Sequence, residues 1–212
     1  MGVKINTDEH VFIGGMTGCG KSFLAECYLA GYDYVVKLDT KHEADERRMK
    51  GQPIWRGLTE NKDFTVIERL SEIDDVETKK IIYQPHFEEM TEDFYNAFLK
   101  WSFERTNTIV WIDELMSISS AFKYPLYLKA IATMGRSKNV SLWALTQRPT
   151  DIPSIITANA THFFCFDLAL MTDRKKMAEI TGHPELLQRP GKYQFWYYRI
   201  GSERPVLAKL QV

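Results

Sequence analysis

The 212-residue sequence contains no apolar run approaching the roughly 20 residues that a bilayer-spanning helix needs, which excludes a helical membrane protein. Met1–Asp8 also lacks the apolar stretch of a secretory leader. Cysteine is scarce: Cys19, Cys27 and Cys165 form no C-x-x-C pair and no metal-ligand spacing. A disulfide scaffold and a structural zinc site are therefore excluded, and a reducing compartment is expected. There is no internal repeat, no low-complexity stretch and no linker, so one domain is expected over residues 1–212. A net charge of −1 carries no signal for nucleic acid by itself. Its distribution is uneven: 14 Lys/Arg against 22 Asp/Glu up to Glu114, and 13 against 6 from Leu115 onward. That asymmetry fits either a polyanion-binding side built by the second half or a surface with sorted charges.

What the sequence does contain is Gly15-Met16-Thr17-Gly18-Cys19-Gly20-Lys21-Ser22, which satisfies G-x-x-x-x-G-K-[ST]. It follows the apolar run His10–Gly14 and opens into Phe23–Ala30, giving strand, glycine-rich loop and helix. Glycines let such a loop curl until consecutive backbone N–H groups point inward at a phosphate. The helix beginning at Gly20 adds its free N–H groups and positive dipole end, and Phe23 sits in its first turn. Lys21 is placed to reach the β- and γ-phosphates, and the Ser22 hydroxyl to ligate Mg²⁺. ATP with Mg²⁺ is the expected ligand, bound by Gly15–Phe23.

Strands and helices alternate through the rest of the chain. Strands are expected at Tyr32–Asp39, Phe64–Leu70, Lys80–Gln84, Thr108–Asp113, Val140–Thr146 and His162–Asp167. Thr40–Lys50 reads as a charged loop or short exposed helix. Thr91 is expected to cap a helix over Glu92–Arg105 with Phe94, Tyr95, Phe98, Leu99 and Trp101 on its apolar face. Further helices are expected from about Pro125 to Ser137, at Ile152–Asn159 and at Thr172–Thr181, with a loop at Leu115–Tyr124. Tyr193–Ile200 and Pro205–Leu210, split by Gly201-Ser202, read as a terminal hairpin. The fold class is α/β: a P-loop NTPase domain of RecA/ASCE type, with a mainly parallel central sheet, helices on both faces and a C-terminal β-hairpin.

A P-loop needs a partner carboxylate to hold Mg²⁺ through its water shell. Asp113 closes the most apolar strand, where that acid belongs, and Asp39 is second choice. Glu114 follows directly and can orient and deprotonate an attacking water. A kinase would need an acceptor pocket and usually a mobile, Arg-rich lid. No such lid is visible, and the Asp113-Glu114 pair favours water as the acceptor, so the expected enzyme is an ATPase.

Gly135-Arg136 before a strand, followed by Thr146-Gln147-Arg148-Pro149, resembles the FtsK–HerA superfamily of P-loop ATPases. The two Walker motifs stand in matching order, the terminal hairpin after Gly191 fits as well, and the likeness spans nearly the whole chain. The resemblance implies that Gln147 is the polar sensor of the γ-phosphate, able to hydrogen-bond phosphate and attacking water. It implies that Arg136 is an arginine finger acting in a neighbour's site, with Arg148 as the alternative. It further implies a homo-oligomeric ring, hexamer or pentamer, that pumps double-stranded DNA. The small size is similar to the genome-packaging ATPases of tailless icosahedral double-stranded DNA viruses with internal membranes. Capsid or portal-vertex proteins would then be partners, and the location would be host cytoplasm or a virion vertex.

DNA would be gripped mainly through phosphates. Ser117–Tyr124 and Lys41–Lys50 are the segments that could line a pore, and Arg174-Lys175-Lys176 is a third basic cluster; each reads more simply as solvated surface. Phe195, Trp196, Tyr197 and Tyr198 could stack on bases but on a hairpin read better as packing. Two other functions fit the same motifs: a conjugation or plasmid-partition pump, and a nucleotide-dependent scaffold without processive hydrolysis. Glu114 counts against the scaffold, which has little need of a water-activating base.

Overall fold

The β-branched and aromatic runs of the sequence pair into one sheet of nine strands. In the computed structural model, which describes residues 3–211, these are β1 (Val11–Gly14), β2 (Val35–Leu38), β3 (Phe64–Ile67), β4 (Lys80–Tyr83), β5 (Ile109–Ile112), β6 (Ser141–Thr146), β7 (His162–Cys165), β8 (Gln194–Arg199) and β9 (Val206–Lys209). Their spatial order is β3-β4-β2-β5-β6-β1-β7-β8-β9. The first seven run parallel, and β8 and β9 form the antiparallel hairpin at one end. Every residue of β1, β2, β5, β6 and β7 is buried, as strands covered on both faces must be.

Alternation along each strand divides the core in two. Phe12, Val110, Ile112, Leu142 and Ala144 face one layer; Val11, Ile13, Trp111, Trp143 and Leu145 face the other. The first layer is covered by α3 (Glu92–Glu104), α4 (Leu126–Met134), α5 (Ser154–Asn159) and α6 (Met171–Thr181), through Phe98, Leu99, Leu128, Ile131, Ile156 and Met177. The second is covered by α1 (Lys21–Leu29) with Leu24, Ala25 and Leu29, together with Trp55. The connection leaving β1 thus passes over one face and the one leaving β6 over the other. Such a reversal opens a crevice at the carboxyl ends of the central strands.

Three local expectations change. Thr91 stands at the N-cap of α3, but its side chain makes no capping bond; its carbonyl accepts from Tyr95 N–H instead. Within Thr40–Lys50, α2 forms over Glu43–Met49. His42 stands at its N-cap position, and its first amides are met by Asp39, whose two carboxylate oxygens accept from Glu43 N–H at 3.1 Å and Ala44 N–H at 2.9 Å. Asp39 is therefore committed to a helix end, which removes the second-choice metal ligand. The expected helix to Ser137 stops at Met134, because Gly135–Lys138 tighten into a 3₁₀ turn. The hairpin aromatics belong to the core: Phe195 packs on Phe164 and Phe166, and Tyr198 on Phe163. Among the described residues no helix is long and apolar enough to cross a membrane.

Candidate active site at the carboxyl edge of the sheet

After Gly14 the chain curls across the carboxyl edge before α1 begins. The curl is pinned to its neighbours: Gly15 N–H donates to Thr146 O at 3.1 Å and Met16 N–H to Asp167 O at 2.8 Å. Two positions demand glycine. A Cβ at Gly15 would lie 2.6 Å from Phe166 Cβ, and Gly20 combines φ of 110° with a Cβ position 2.3 Å from Leu210 Cδ1. The amides of Thr17, Gly18 and Gly20 have no backbone partner among the described residues, which leaves a concave array of donors.

Lys21 is buried behind this array, and its Nζ donates to Met16 O at 3.1 Å. Burial pushes its pKa down, against the pull of the Asp113 and Glu114 carboxylates. Ser22 Oγ donates to Asp113 Oδ2 at 3.1 Å. Asp113 is 3% exposed, and its Oδ1 has no partner among the described residues. Burial raises the Asp113 pKa, opposed chiefly by the Lys37 ammonium. Lys37 itself is buried in β2, 3.1 Å from Glu43 Oε2 and 4.5 Å above the Trp111 ring.

Glu114 Oε2 accepts from Gln147 Nε2 at 2.7 Å and pairs with Lys41 Nζ at 3.0 Å. Its Oε1 is buried without a partner among the described residues. Gln147 Oε1 in turn accepts from the Thr17 hydroxyl at 2.8 Å. Residues 17, 114 and 147, far apart in sequence, are therefore joined side chain to side chain. β6 makes this possible, since it lies between the strands that carry the loop and the acid pair. For Lys41, burial works against the charge, but the bond to Glu114 and the surrounding carboxylates hold its pKa above the usual value.

A cavity of about 300 Å³ opens beside the loop, lined by Gly18, Gly20, Lys21 and Ser22 and by Phe23, Arg47, Arg56, Tyr193 and Leu210. Arg56, Tyr193 and Leu210 are not singled out by the sequence, which offers Arg47 only as part of a segment that could line a pore; the fold alone brings them here. Arg47 forks onto Glu26 of α1 at 3.0 and 3.1 Å, and the Arg56 guanidinium lies 4.6 Å over the Phe23 ring. Tyr193 and Leu210 arrive with the terminal hairpin, joined by Leu210 N–H to Tyr193 O at 2.9 Å. The one signal that could have pointed here is Glu26, an acid flanked by the core residues Leu24, Ala25 and Leu29 of α1.

Arg136 is not in this group. It lies at the amino edge of the sheet, where Gly135 packs against Val140 O, and is two-thirds exposed in a 3.4 Å pair with Asp8. It does not reach the loop of its own chain. Arg148 lies at the carboxyl edge next to Gln147 but is held by Asp173 at 3.1 Å. The basic residues of the Lys41–Lys50 segment are also engaged: Lys41 with Glu114, Arg47 with Glu26, Arg48 with Asp45 and Glu60, Lys50 with Glu46. In Ser117–Tyr124, Lys123 pairs with Glu92 at 2.6 Å while Phe122 is 98% exposed. Arg174 donates to the Leu168 and Ala169 carbonyls.

No family model matches the chain, and no curated protein matches it in sequence. Solved structures do match in fold. The genome packaging NTPase B204 from Sulfolobus turreted icosahedral virus 2 in complex with ATP-gammaS superposes with a TM-score of 0.78 at 17% identity, covering 98% of this chain and 100% of that one. The pCW3 conjugation coupling protein TcpA with ATPgS gives 0.61 at 17% identity over 98% of this chain and 62% of that one. EssC (ATPases 2 and 3) from Geobacillus thermodenitrificans gives 0.61 at 14% over 95% and 39%. The fold is thus the P-loop NTPase fold of these proteins, extending over the full length of the viral one.

Proposed function

We propose that the chain is an ATP-hydrolysing motor of FtsK–HerA type that moves double-stranded DNA, and that its task is to package a viral genome into a preformed capsid. The observation that carries the reading is the Thr17–Gln147–Glu114 bridge, which joins loop, sensor and base into one hydrolytic unit. The viral packaging task is supported by the likeness to B204, which covers 98% of this chain and 100% of that one. The conjugation-pump reading has the TcpA likeness in its favour, but there the match spans 62% of the other chain.

In this reading the amides of Gly15–Phe23 cradle the ATP phosphates. Lys21 exchanges Met16 O for phosphate oxygen, a short swing for a buried ammonium bonded to a loop carbonyl. Phe23, Arg56, Tyr193 and Leu210 then border the nucleoside. Ser22 and the unpartnered Asp113 Oδ1 fit a Mg²⁺ ion bound largely through water. Among the described residues there is no three-residue cage of His, Cys, Asp or Glu, and an ion held mainly by phosphate and water needs none. When bound, Mg²⁺ neutralises charge on the phosphates. Glu114 Oε1, buried and free to accept, takes the proton of the attacking water, while Gln147 orients that water against the γ-phosphate. Arg136, turned away from its own loop, serves the site of the next subunit in a pentameric or hexameric ring. Duplex DNA passes through the ring, with the exposed Phe122 loop as its contact, and capsid or vertex proteins hold the ring in place.

Steady-state ATP turnover with and without duplex DNA, on wild type and Glu114→Gln, tests this. DNA should raise wild-type turnover, and the variant should bind ATP with turnover largely lost. Unchanged turnover in the variant would overturn the hydrolytic site, and indifference to DNA would overturn the motor.

A further inference from the structure

Lys41 and Thr40, adjacent residues on the turn between β2 and α2, bear on Glu114, the first directly and the second through Ser117. Lys41 Nζ lies 3.0 Å from Glu114 Oε2, where it shares that oxygen with Gln147 Nε2 at 2.7 Å. Thr40 acts on the same residue from behind. Its Oγ1 lies 2.7 Å from Ser117 Oγ, and the Ser117 hydroxyl donates to Glu114 O at 2.6 Å. Since Ser117 spends its proton on that carbonyl, Thr40 is the donor of the pair. One dipeptide therefore holds the side chain directly and the main chain through Ser117.

The consequence is a distinction between the two carboxylate oxygens. Oε2 has two donors and is occupied; Oε1 is buried with no partner among the described residues. A carboxylate with two donors on one oxygen cannot rotate without breaking both bonds, each of which is charge-assisted. The turn that supplies Lys41 is itself fixed at its base, because Asp39 meets the first amides of α2 with both oxygens. Lys41 is 38% exposed at its side chain, so it is reached from solvent, and a mobile contact there would gain nothing from so rigid an anchor.

We propose that Lys41 is a positioning residue for hydrolysis: with Gln147 it fixes the Glu114 carboxylate so that Oε1 alone faces the attacking water, while Thr40 and Ser117 fix the main chain behind it. This deepens the reading of Glu114 as the base and rests on it. Lys41 touches neither water nor phosphate in this role. Its whole effect passes through Glu114, and a residue of this kind is worth about 10- to 100-fold in rate.

The test uses full-length Lys41→Met, Lys41→Arg, Glu114→Gln and the Lys41→Met/Glu114→Gln double variant, with single-turnover ATP hydrolysis beside steady-state rates. Lys41→Met should lower kcat about 10- to 100-fold with KM for ATP within about twofold, and Lys41→Arg should recover most of the loss. The double variant should be no slower than Glu114→Gln, because Lys41 has no separate work to do. Binding of a non-hydrolysable ATP analogue and thermal melting establish that each variant is folded. A raised KM with unchanged kcat would make Lys41 a phosphate ligand and overturn the inference. So would a double variant slower than Glu114→Gln. If Glu114→Gln alone turns over normally, it is the underlying reading of the base that fails.

Discussion

The two edges of the sheet differ in how they treat buried charged groups. At the amino edge the buried ionisable groups are paired inside the chain, although Ser141 Oγ at the start of β6 has no partner among the described residues. Glu9 takes Asn6 N–H at 2.8 Å, Arg199 at 3.1 Å and His162 at 3.2 Å, and His10 Nδ1 takes Leu142 N–H at 2.9 Å. At the carboxyl edge Asp113 Oδ1 and Glu114 Oε1 are buried without partners among the described residues, and Lys21 donates to a loop carbonyl. An unpaired buried acceptor costs stability, on the order of 1–3 kcal/mol. Two unpaired carboxylate oxygens side by side at one edge, where the carboxylate of the other edge is filled, mark where a ligand is expected. The amino edge secures the fold, and the carboxyl edge holds unsatisfied groups that the proposed function assigns to ATP.

That contrast is sharpest at Glu114. Glu114→Gln should reduce turnover by about 10³-fold, yet differential scanning calorimetry should show no fall in Tm, since the change removes an incompletely satisfied buried charge. A marked loss of Tm would mean that Glu114 is structural, and the contrast would break.

The amino edge should respond to pH in the reverse manner. Burial, with the Arg136 charge, lowers the His10 pKa to about 4 from 6.5. The unfolded chain then takes up a proton below about pH 6.5 that the folded chain refuses until about pH 4. Stability is full above 6.5 and falls across that window by about 3 kcal/mol. Chemical denaturation of wild type and His10→Leu at several pH values should show this slope only in wild type; equal slopes would remove His10 from the account.

A smaller effect is expected at Glu9. Its hydrogen bonds from Asn6, Arg199 and His162 outweigh the burial that would raise it and hold the pKa at about 2. Glu9→Gln should lose about 2 kcal/mol of stability in urea titrations while ATP turnover per folded molecule stays at the wild-type value. A drop in turnover would show that the two edges are not separable within one chain.

Much of this was legible in the sequence, for reasons that differ by residue. Gly15–Ser22 announces itself because a phosphate loop works through backbone, and backbone needs fixed glycines; Gly15 and Gly20 have no room for a Cβ. The place of Asp113 and Glu114 at the end of a central strand is readable because a continuous apolar run ends on them, and the nine-stranded sheet matches the alternation of apolar runs. Lys41 and Arg47 looked like solvated or pore-lining cations, because their carboxylate partners, Glu114 and Glu26, lie 73 and 21 positions away. Asp39 resembled a ligand because a strand-terminal acid and an acid that meets a helix's first amides share one sequence signature. Tyr193 and Leu210 reach the cavity only through the return of the hairpin.

Arg136 is where the two edges should meet. It is exposed at the amino edge in a weak pair with Asp8, so it is available to a neighbour's carboxyl edge. The decisive measurement is ATP turnover of wild type mixed with Arg136→Ala in varied proportion at fixed total concentration. If one subunit's amino edge completes the next subunit's site, activity falls non-linearly with the variant fraction, although the variant still binds ATP. A strictly linear fall would mean that each chain hydrolyses ATP alone, and would contradict the account.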